Sequence, residues 1–153
     1  MIQGRGYAIP LALTTGTADD ADLFAIVAAT DKPLAIGSVQ GHYEVGDSSE
    51  TVSFALLRAS ASTPGATITP TSMNPDDTAP GFTVTSNPTL VTVTTPASPL
   101  AVFGGNGAAS YGWYPSVEEH QIILKPADIL ILRIEIAPTS ALVMRATINV
   151  TEL

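Results

Sequence analysis

The sequence predicts an all-β fold, a single antiparallel β-sandwich of jelly-roll type with about eight or nine strands. The first observation is composition: the 153 residues include 19 Thr, 12 Ser, 12 Gly and 12 Pro, which favour strands and turns. The second is that only 13% of residues are charged, too few for the Glu-, Lys- and Arg-rich surface of a helical bundle. The third is that apolar and polar residues alternate along several segments, whereas no segment has a helical period.

Two strands are predicted at the start of the chain. Residues 7–13 include Pro10, which cannot donate a ladder hydrogen bond, so we expect either an edge strand or an N-terminal arm spanning residues 1–13. Residues 23–29 form a short apolar run that is followed by a turn at residues 30–33. Because that turn closes the run, we interpret it as a strand rather than a helix.

The next two segments predict a β-hairpin. Apolar residues alternate with polar ones in residues 34–45 and again in residues 50–60. The four residues between them, 46–49, are Gly, Asp and two Ser, a composition typical of a hairpin loop. We therefore expect these two segments to pair with each other.

Residues 61–112 predict a long, loop-rich excursion within the single domain that spans residues 1–153. This stretch holds most of the Pro and Thr and is punctuated by three turn signals. A disordered linker is the alternative interpretation. We favour an ordered excursion at one end of the sandwich, because residues 82–85 and 90–95 still alternate.

The last third of the chain has the strongest strand pattern. Residues 121–124 and 129–136 are predicted strands that flank a turn. The final strand has five consecutive matches to a period of two, which indicates one buried face. Its inward residues are Leu142, Met144, Ala146, Ile148 and Val150.

Charge and composition exclude several classes of function. The net charge of −8 and the pI near 4.4 disfavour nucleic acid as a partner, because binding phosphates requires clustered Lys and Arg. The same charge disfavours a polybasic membrane contact, and no apolar run approaches the length of a membrane span. The absence of Cys excludes disulfides, Cys-ligated metals and thiol nucleophiles.

The residues that carry chemistry in other proteins form no recognisable pattern here. His42 and His120 lack the convergent ligands of a metal site, so we interpret both as solvated surface residues. Asp19, Asp20 and Asp22 lack the rest of a calcium loop and read as a polar turn. No nucleophile elbow or phosphate loop is present. We therefore expect no catalytic residue, no metal and no cofactor, and we expect that the protein is not an enzyme.

Candidate interface residues lie in two places. Tyr111, Trp113 and Tyr114 form a local group of aromatic residues in a chain where only 6% of residues are aromatic. This group predicts core closure under a loop, an interface anchor, or a platform for carbohydrate. Arg5 and Tyr7 lie in the possible N-terminal arm, from which they would reach a neighbouring subunit.

Several short stretches between Leu34 and Leu153 resemble a known group of proteins. They are residues 36–45, residues 52–58, Asn74-Pro75, Trp113 with Pro115, Lys125-Pro126, residues 132–134, Ala137-Pro138 and Glu152. In these stretches the sequence resembles the small β-sandwich decoration, or cement, proteins that tailed bacteriophages encode among their head genes. It departs from that pattern in a longer region at residues 61–112 and in an added N-terminal segment.

The resemblance implies a structural protein of the virion that is made in the host cytoplasm and sits on the outer capsid surface. Its partners would be the major capsid protein and further copies of itself, most often in a homotrimer. It would stabilise the shell against internal DNA pressure. The alternative is a tail or adhesion module in which Tyr111, Trp113 and Tyr114 bind carbohydrate.

Overall fold

The computed structural model describes residues 4–15, 17–18, 20–45, 50–94, 98–106 and 110–153. The described residues form thirteen strands: β1 (Arg5–Thr14), β2 (Asp22–Val27), β3 (Leu34–Val45), β4 (Thr51–Thr63), β5 (Ala66–Ile68), β6 (Thr71–Ser72), β7 (Thr83–Ser86), β8 (Thr89–Val93), β9 (Ala101–Asn106), β10 (Tyr111–Trp113), β11 (Ile122–Leu124), β12 (Ile129–Ile136) and β13 (Val143–Glu152). One turn of 3₁₀ helix, Glu118–His120, lies between β10 and β11.

The strands form two antiparallel sheets. Sheet I has the order β10-β3-β13-β1-β6, and β11 also pairs with β3. Sheet II has the order β5-β7-β2-β12-β4-β8, and β9 also pairs with β4. Side chains from both sheets pack into one main core, which confirms the predicted antiparallel β-sandwich.

The centre of sheet I is a long ladder between the first and last strands. β1 pairs with β13 over ten residues, from Arg5 with Glu152 to Thr14 with Val143. Every second residue of β13 is buried, as the period of two predicts, and Met144 and Ile148 have no exposed surface. The sequence pattern of this strand therefore identifies its inward face correctly.

The N-terminal segment is part of the sheet rather than an arm from residue 5 onward, because β1 pairs with β13 along its whole length. Residues 1–3 lie outside the described part of the chain. On its other side β1 pairs only at Tyr7 and Ala8, with β6. In the described structure no strand lies beside Pro10 on that side, which fits the edge position that a proline requires.

The predicted hairpin between residues 34–45 and 50–60 is wrong. Both segments are strands, but β3 lies in sheet I and β4 lies in sheet II. β3 pairs with β13, and β4 pairs with β12. The loop at residues 46–49 lies outside the described residues. Alternation identifies a strand with a buried face, but it carries no information about which strand is the neighbour.

The number of strands is also larger than the eight or nine predicted. Most of the additional strands lie in residues 61–112. We expect mainly loops there, but the region contains all of β5 to β9. These strands are only two to six residues long, so their alternation is too brief to stand out. The excursion therefore supplies strands at both edges of sheet II.

Candidate functional site

The two predicted interface residues of the N-terminal segment stabilise one end of the sandwich. Tyr7 has no exposed surface, and its hydroxyl donates a hydrogen bond to the carbonyl oxygen of Thr78 at 2.9 Å. Its ring packs edge-on against Phe82, with ring centroids 5.4 Å apart. The guanidinium of Arg5 donates to the side chain of the same Thr78. Tyr7 is thus a core residue, and only Arg5 keeps partial exposure.

The aromatic group at residues 111–114 separates into three different environments. Tyr111 is 5% exposed and belongs to the core, Trp113 is half-buried against that core, and Tyr114 is 61% exposed. The interpretation as core closure therefore fits Tyr111. Only Tyr114 of this group exposes most of its surface to a ligand or partner.

Tyr111 lies in a cluster of four aromatic rings at one end of the core. Its centroid is 5.0 Å from that of Tyr43 and 5.3 Å from that of Phe54. Phe103 stacks on Tyr111 and is tilted by 36° against Phe54. Burial raises the pKa of Tyr43 to about 12. Burial also raises the pKa of Tyr111, with a smaller contribution from the neighbouring Tyr43. Both phenols therefore stay protonated and neutral at physiological pH.

An open depression of about 390 Å³ lies on the outer face of sheet I, where β10, β3 and β13 run side by side. The register places Gln40 between Gly112 and Thr147, and it places His42 beside Arg145. The polar or aromatic residues that line the depression are Gln40, His42, Ser110, Tyr111, Tyr114, Arg145 and Thr147. Neither Asp nor Glu is among the described lining residues.

The outer face of sheet II differs, because an apolar cluster lies on it. Ala25, Ala55, Leu57, Ala59 and Ile131 form a second, smaller cluster of buried side chains. They point away from the main core, since their neighbours in the strands, such as Leu56 and Leu132, belong to that core. We call this cluster the apolar outer face.

Exposed residues continue the apolar outer face. Val102 is opposite Ala55 in the β4–β9 ladder and is 55% exposed. Val91 and Val93 of β8 pack against the apolar outer face and are partly buried. The outward apolar character therefore extends from the middle of sheet II to its β8 edge.

Leu90 lies at that edge in an unusual conformation. It is 83% exposed, and its φ of 49° is in the left-handed region. Such a backbone angle is uncommon for any side chain and is an outlier for a bulky one. β8 is the last strand on its side of sheet II, so within the described structure its outer edge has no pairing partner.

Two acidic residues, Glu152 and Asp22, form ion pairs that the sequence analysis does not predict. The side chain of Glu152 is only 2% exposed; it accepts a hydrogen bond from the Gly81 backbone N–H at 2.9 Å and lies 3.4 Å from the Lys32 ammonium. The prediction of a turn at Asp22 is wrong, because Asp22 is the first residue of β2 and accepts two hydrogen bonds from the Arg133 guanidinium at 2.8 and 3.1 Å. The alternation of β13 would have identified Glu152, because it continues the inward series one step beyond Val150.

The two histidines occupy separate places. His42 is exposed in the depression, and Nδ1 of His120 lies 2.8 Å from the Ser116 hydroxyl oxygen. Among the described residues, no three His, Asp or Glu side chains lie close enough together to hold a metal ion.

No helix in the described part of the chain combines the length and apolarity needed to cross a bilayer.

Comparison with protein-family models, with curated proteins and with solved structures finds no match to this chain.

Proposed function

We propose that this protein is a non-enzymatic structural component of a bacteriophage virion, which binds the outer surface of the capsid and stabilises the shell. The sequence resemblance to decoration proteins supports the proposal. A sandwich with a single main core also suits a rigid fastening element. The observation that carries the proposal most directly is the exposed, left-handed Leu90 at the β8 edge.

In a free monomer, the backbone conformation of Leu90 and the exposure of its side chain both make the folded state less stable. A bulky residue in the left-handed region costs on the order of 1–3 kcal/mol of backbone strain. Leaving a leucine side chain in water forgoes roughly 1.5–3 kcal/mol that its burial would provide. A contact that buries Leu90 in the assembled state would recover the second of these terms. Leu90 is therefore best explained as an anchor that inserts into a pocket of a partner protein.

The surroundings of Leu90 fit a protein partner. The neighbouring Val91 packs on the apolar outer face, and Val102 adds an exposed apolar side chain to that face. The edge of β8 has the sequence Thr-Leu-Val-Thr-Val, which is rich in β-branched residues and uncharged. The pairing of β8 with β4 shifts register between Thr89 and Thr92, so Leu90 lies in a β-bulge of this edge. Because a bulge opposes strand addition, we expect the partner to contact the Leu90 side chain rather than to add a strand. We assign the capsid contact to the exposed side chains of Leu90 and Val102, because the residues of the apolar outer face are themselves at most 6% exposed.

The test is to mix the purified protein with expanded capsids that lack it and to sediment the mixture. We expect the protein to co-sediment at a saturating copy number. Leu90→Gly should bind about 10- to 100-fold more weakly, because it removes the anchor. Glycine adopts the left-handed backbone freely, so this variant should still fold. Ile123→Ala is the matched control, since Ile123 is an exposed aliphatic residue of sheet I.

Two results would contradict the proposal. Failure of the wild-type protein to bind any capsid would remove the decoration role. Binding of Leu90→Gly at wild-type strength would remove the assigned contact. The proposed homotrimer has a separate test by light scattering, in which a strict monomer at high concentration contradicts it.

A further inference from the structure

We propose that the depression on the outer face of sheet I is a binding site for a neutral saccharide. This inference goes beyond the capsid role and does not depend on it, because the depression and the β8 edge belong to different sheets. It rests on the placement of one exposed aromatic ring, on the polar groups around it and on the charge of the protein.

The ring of Tyr114 lies at the wall of the depression, close to the backbone of Gly112. A Cβ on Gly112 would lie 3.1 Å from Cε2 of Tyr114 and 2.8 Å from the carbonyl oxygen of Val39. The ring therefore packs closely over the bare backbone at Gly112. Because 61% of Tyr114 is still exposed, the ring has surface to offer to a ligand. An aromatic ring in this position presents an apolar surface on which a sugar ring can stack.

The hydrogen-bonding groups beside this ring are oriented by their neighbours. The Gln40 amide nitrogen donates to the Ser38 hydroxyl at 3.3 Å. The Asn149 amide nitrogen donates to that same hydroxyl at 2.9 Å. Ser38 is 7% exposed, so this small network fixes the Gln40 side chain next to Thr147, its register partner on β13. The oriented amide of Gln40 and the hydroxyl of Thr147 thus lie next to each other at the base of the depression.

The chemistry of the lining selects the class of ligand. Amide, hydroxyl and imidazole groups bind hydroxyl groups of a ligand as donors and acceptors. The mainly polar lining does not suit a lipid or another purely apolar ligand. The guanidinium of Arg145, which also lines the depression, is a further donor for ligand hydroxyl groups, while the net charge of −8 opposes anionic ligands at long range. A neutral sugar presents hydroxyl groups, is polar and carries no negative charge, so it fits the depression in all three respects.

The size of the depression limits the ligand. Its volume of about 390 Å³ lies near the lower end of the range of roughly 300–1,000 Å³ for small-molecule sites. The site is also open, so it encloses only one side of its ligand. We therefore expect a monosaccharide or disaccharide unit, bound with a Kd of about 1 mM.

The test is an NMR titration of the ¹⁵N-labelled protein with the methyl glycosides of glucose, galactose, mannose and N-acetylglucosamine. Sialyllactose serves as the acidic comparison, with lactose as its neutral part. We expect at least one neutral glycoside to shift the amide signals of Gln40, Gly112 and Thr147 while distant signals stay in place. Tyr114→Ala should weaken this binding about tenfold, whereas Tyr114→Phe, which keeps the ring, should retain it. Ile123→Ala, outside the depression, should bind like the wild type.

Three results would overturn the inference. The first is that none of the four neutral glycosides shifts these signals at concentrations well above the expected Kd. The second is binding that survives Tyr114→Ala unchanged, since this would exclude the ring as the stacking surface. The third is tighter binding of sialyllactose than of lactose, its neutral part, which would exclude the neutral class. None of these results bears on capsid binding, so the two proposals fail independently.

Discussion

Tyr43 offers a substitution that should stabilise the protein by removing an atom. Tyr43 is 9% exposed, and among the described residues no group forms a hydrogen bond with its hydroxyl. A buried hydroxyl without a partner costs roughly 1–3 kcal/mol. Tyr43→Phe removes the hydroxyl and keeps the ring contact with Tyr111, so we expect the free energy of unfolding to rise by about 1 kcal/mol. For a chain of this size that corresponds to a Tm increase of about 2–4 °C.

The same substitution should change the response to alkali. Burial raises the pKa of Tyr43 to about 12 from the ordinary value of 10.0. As the pH rises, the unfolded chain therefore loses this proton before the folded chain does. The stability linked to the protonated phenol is complete below pH 10 and falls by about 2–3 kcal/mol as the pH approaches 12. Tyr43→Phe should lose correspondingly less stability over that interval.

Urea denaturation at pH 7 and at several values between pH 9 and pH 12 measures both effects. Tyr111→Phe is the matched control at pH 7 only, because the Tyr111 hydroxyl donates a long hydrogen bond of 3.4 Å to the Arg145 carbonyl oxygen, while burial raises the pKa of Tyr111 as well. That control should lose about 0.5 kcal/mol at pH 7. The reasoning is refuted if Tyr43→Phe is destabilised by more than about 0.5 kcal/mol at pH 7. Such a result would mean that the Tyr43 hydroxyl has a partner that contributes to folding.

Three further substitutions test the packing. Leu132→Ala and Ile148→Ala, on the inner faces of sheet II and sheet I, should each cost roughly 2–5 kcal/mol in urea denaturation, because both side chains are fully buried. Losses under about 0.5 kcal/mol, typical of surface sites, would show that the inward faces are misassigned. Gly65→Ala should lower Tm sharply, since a Cβ there would lie 1.8 Å from the Ser86 carbonyl oxygen; an unchanged Tm would contradict this close approach.

The sequence predicts strands well where one face is buried over a long stretch. β13 alternates over its whole length, so the burial of Met144 and Ile148 follows from local pattern alone. The pairing of β3 does not follow, because its alternation is equally compatible with β4 and with β13 as neighbour. Which neighbour is chosen depends on the packing of two whole sheets, and no local pattern encodes that.

The candidate sites are less predictable than the strands. Tyr111 and Tyr114 are three residues apart and belong to one aromatic group in the sequence, yet Tyr111 is in the core and Tyr114 is on the surface. The depression brings together Gln40, Tyr114 and Thr147 from distant parts of the chain, and only the β10-β3-β13 register creates that proximity. Leu90 could not be singled out either, because a left-handed backbone at a leucine has no signature in composition or spacing.

The long β1–β13 ladder makes the mechanical strength of the sandwich dependent on direction. Arg5 and Glu152 are partners at one end of this antiparallel ladder. A force that pulls these two positions apart acts across the strands and opens the ladder one residue pair at a time. A force that slides β1 along β13 loads all ten pairs together. The protein should therefore yield easily when it is stretched between its two terminal strands, and it should resist strongly when a surface beneath it expands along the strand direction.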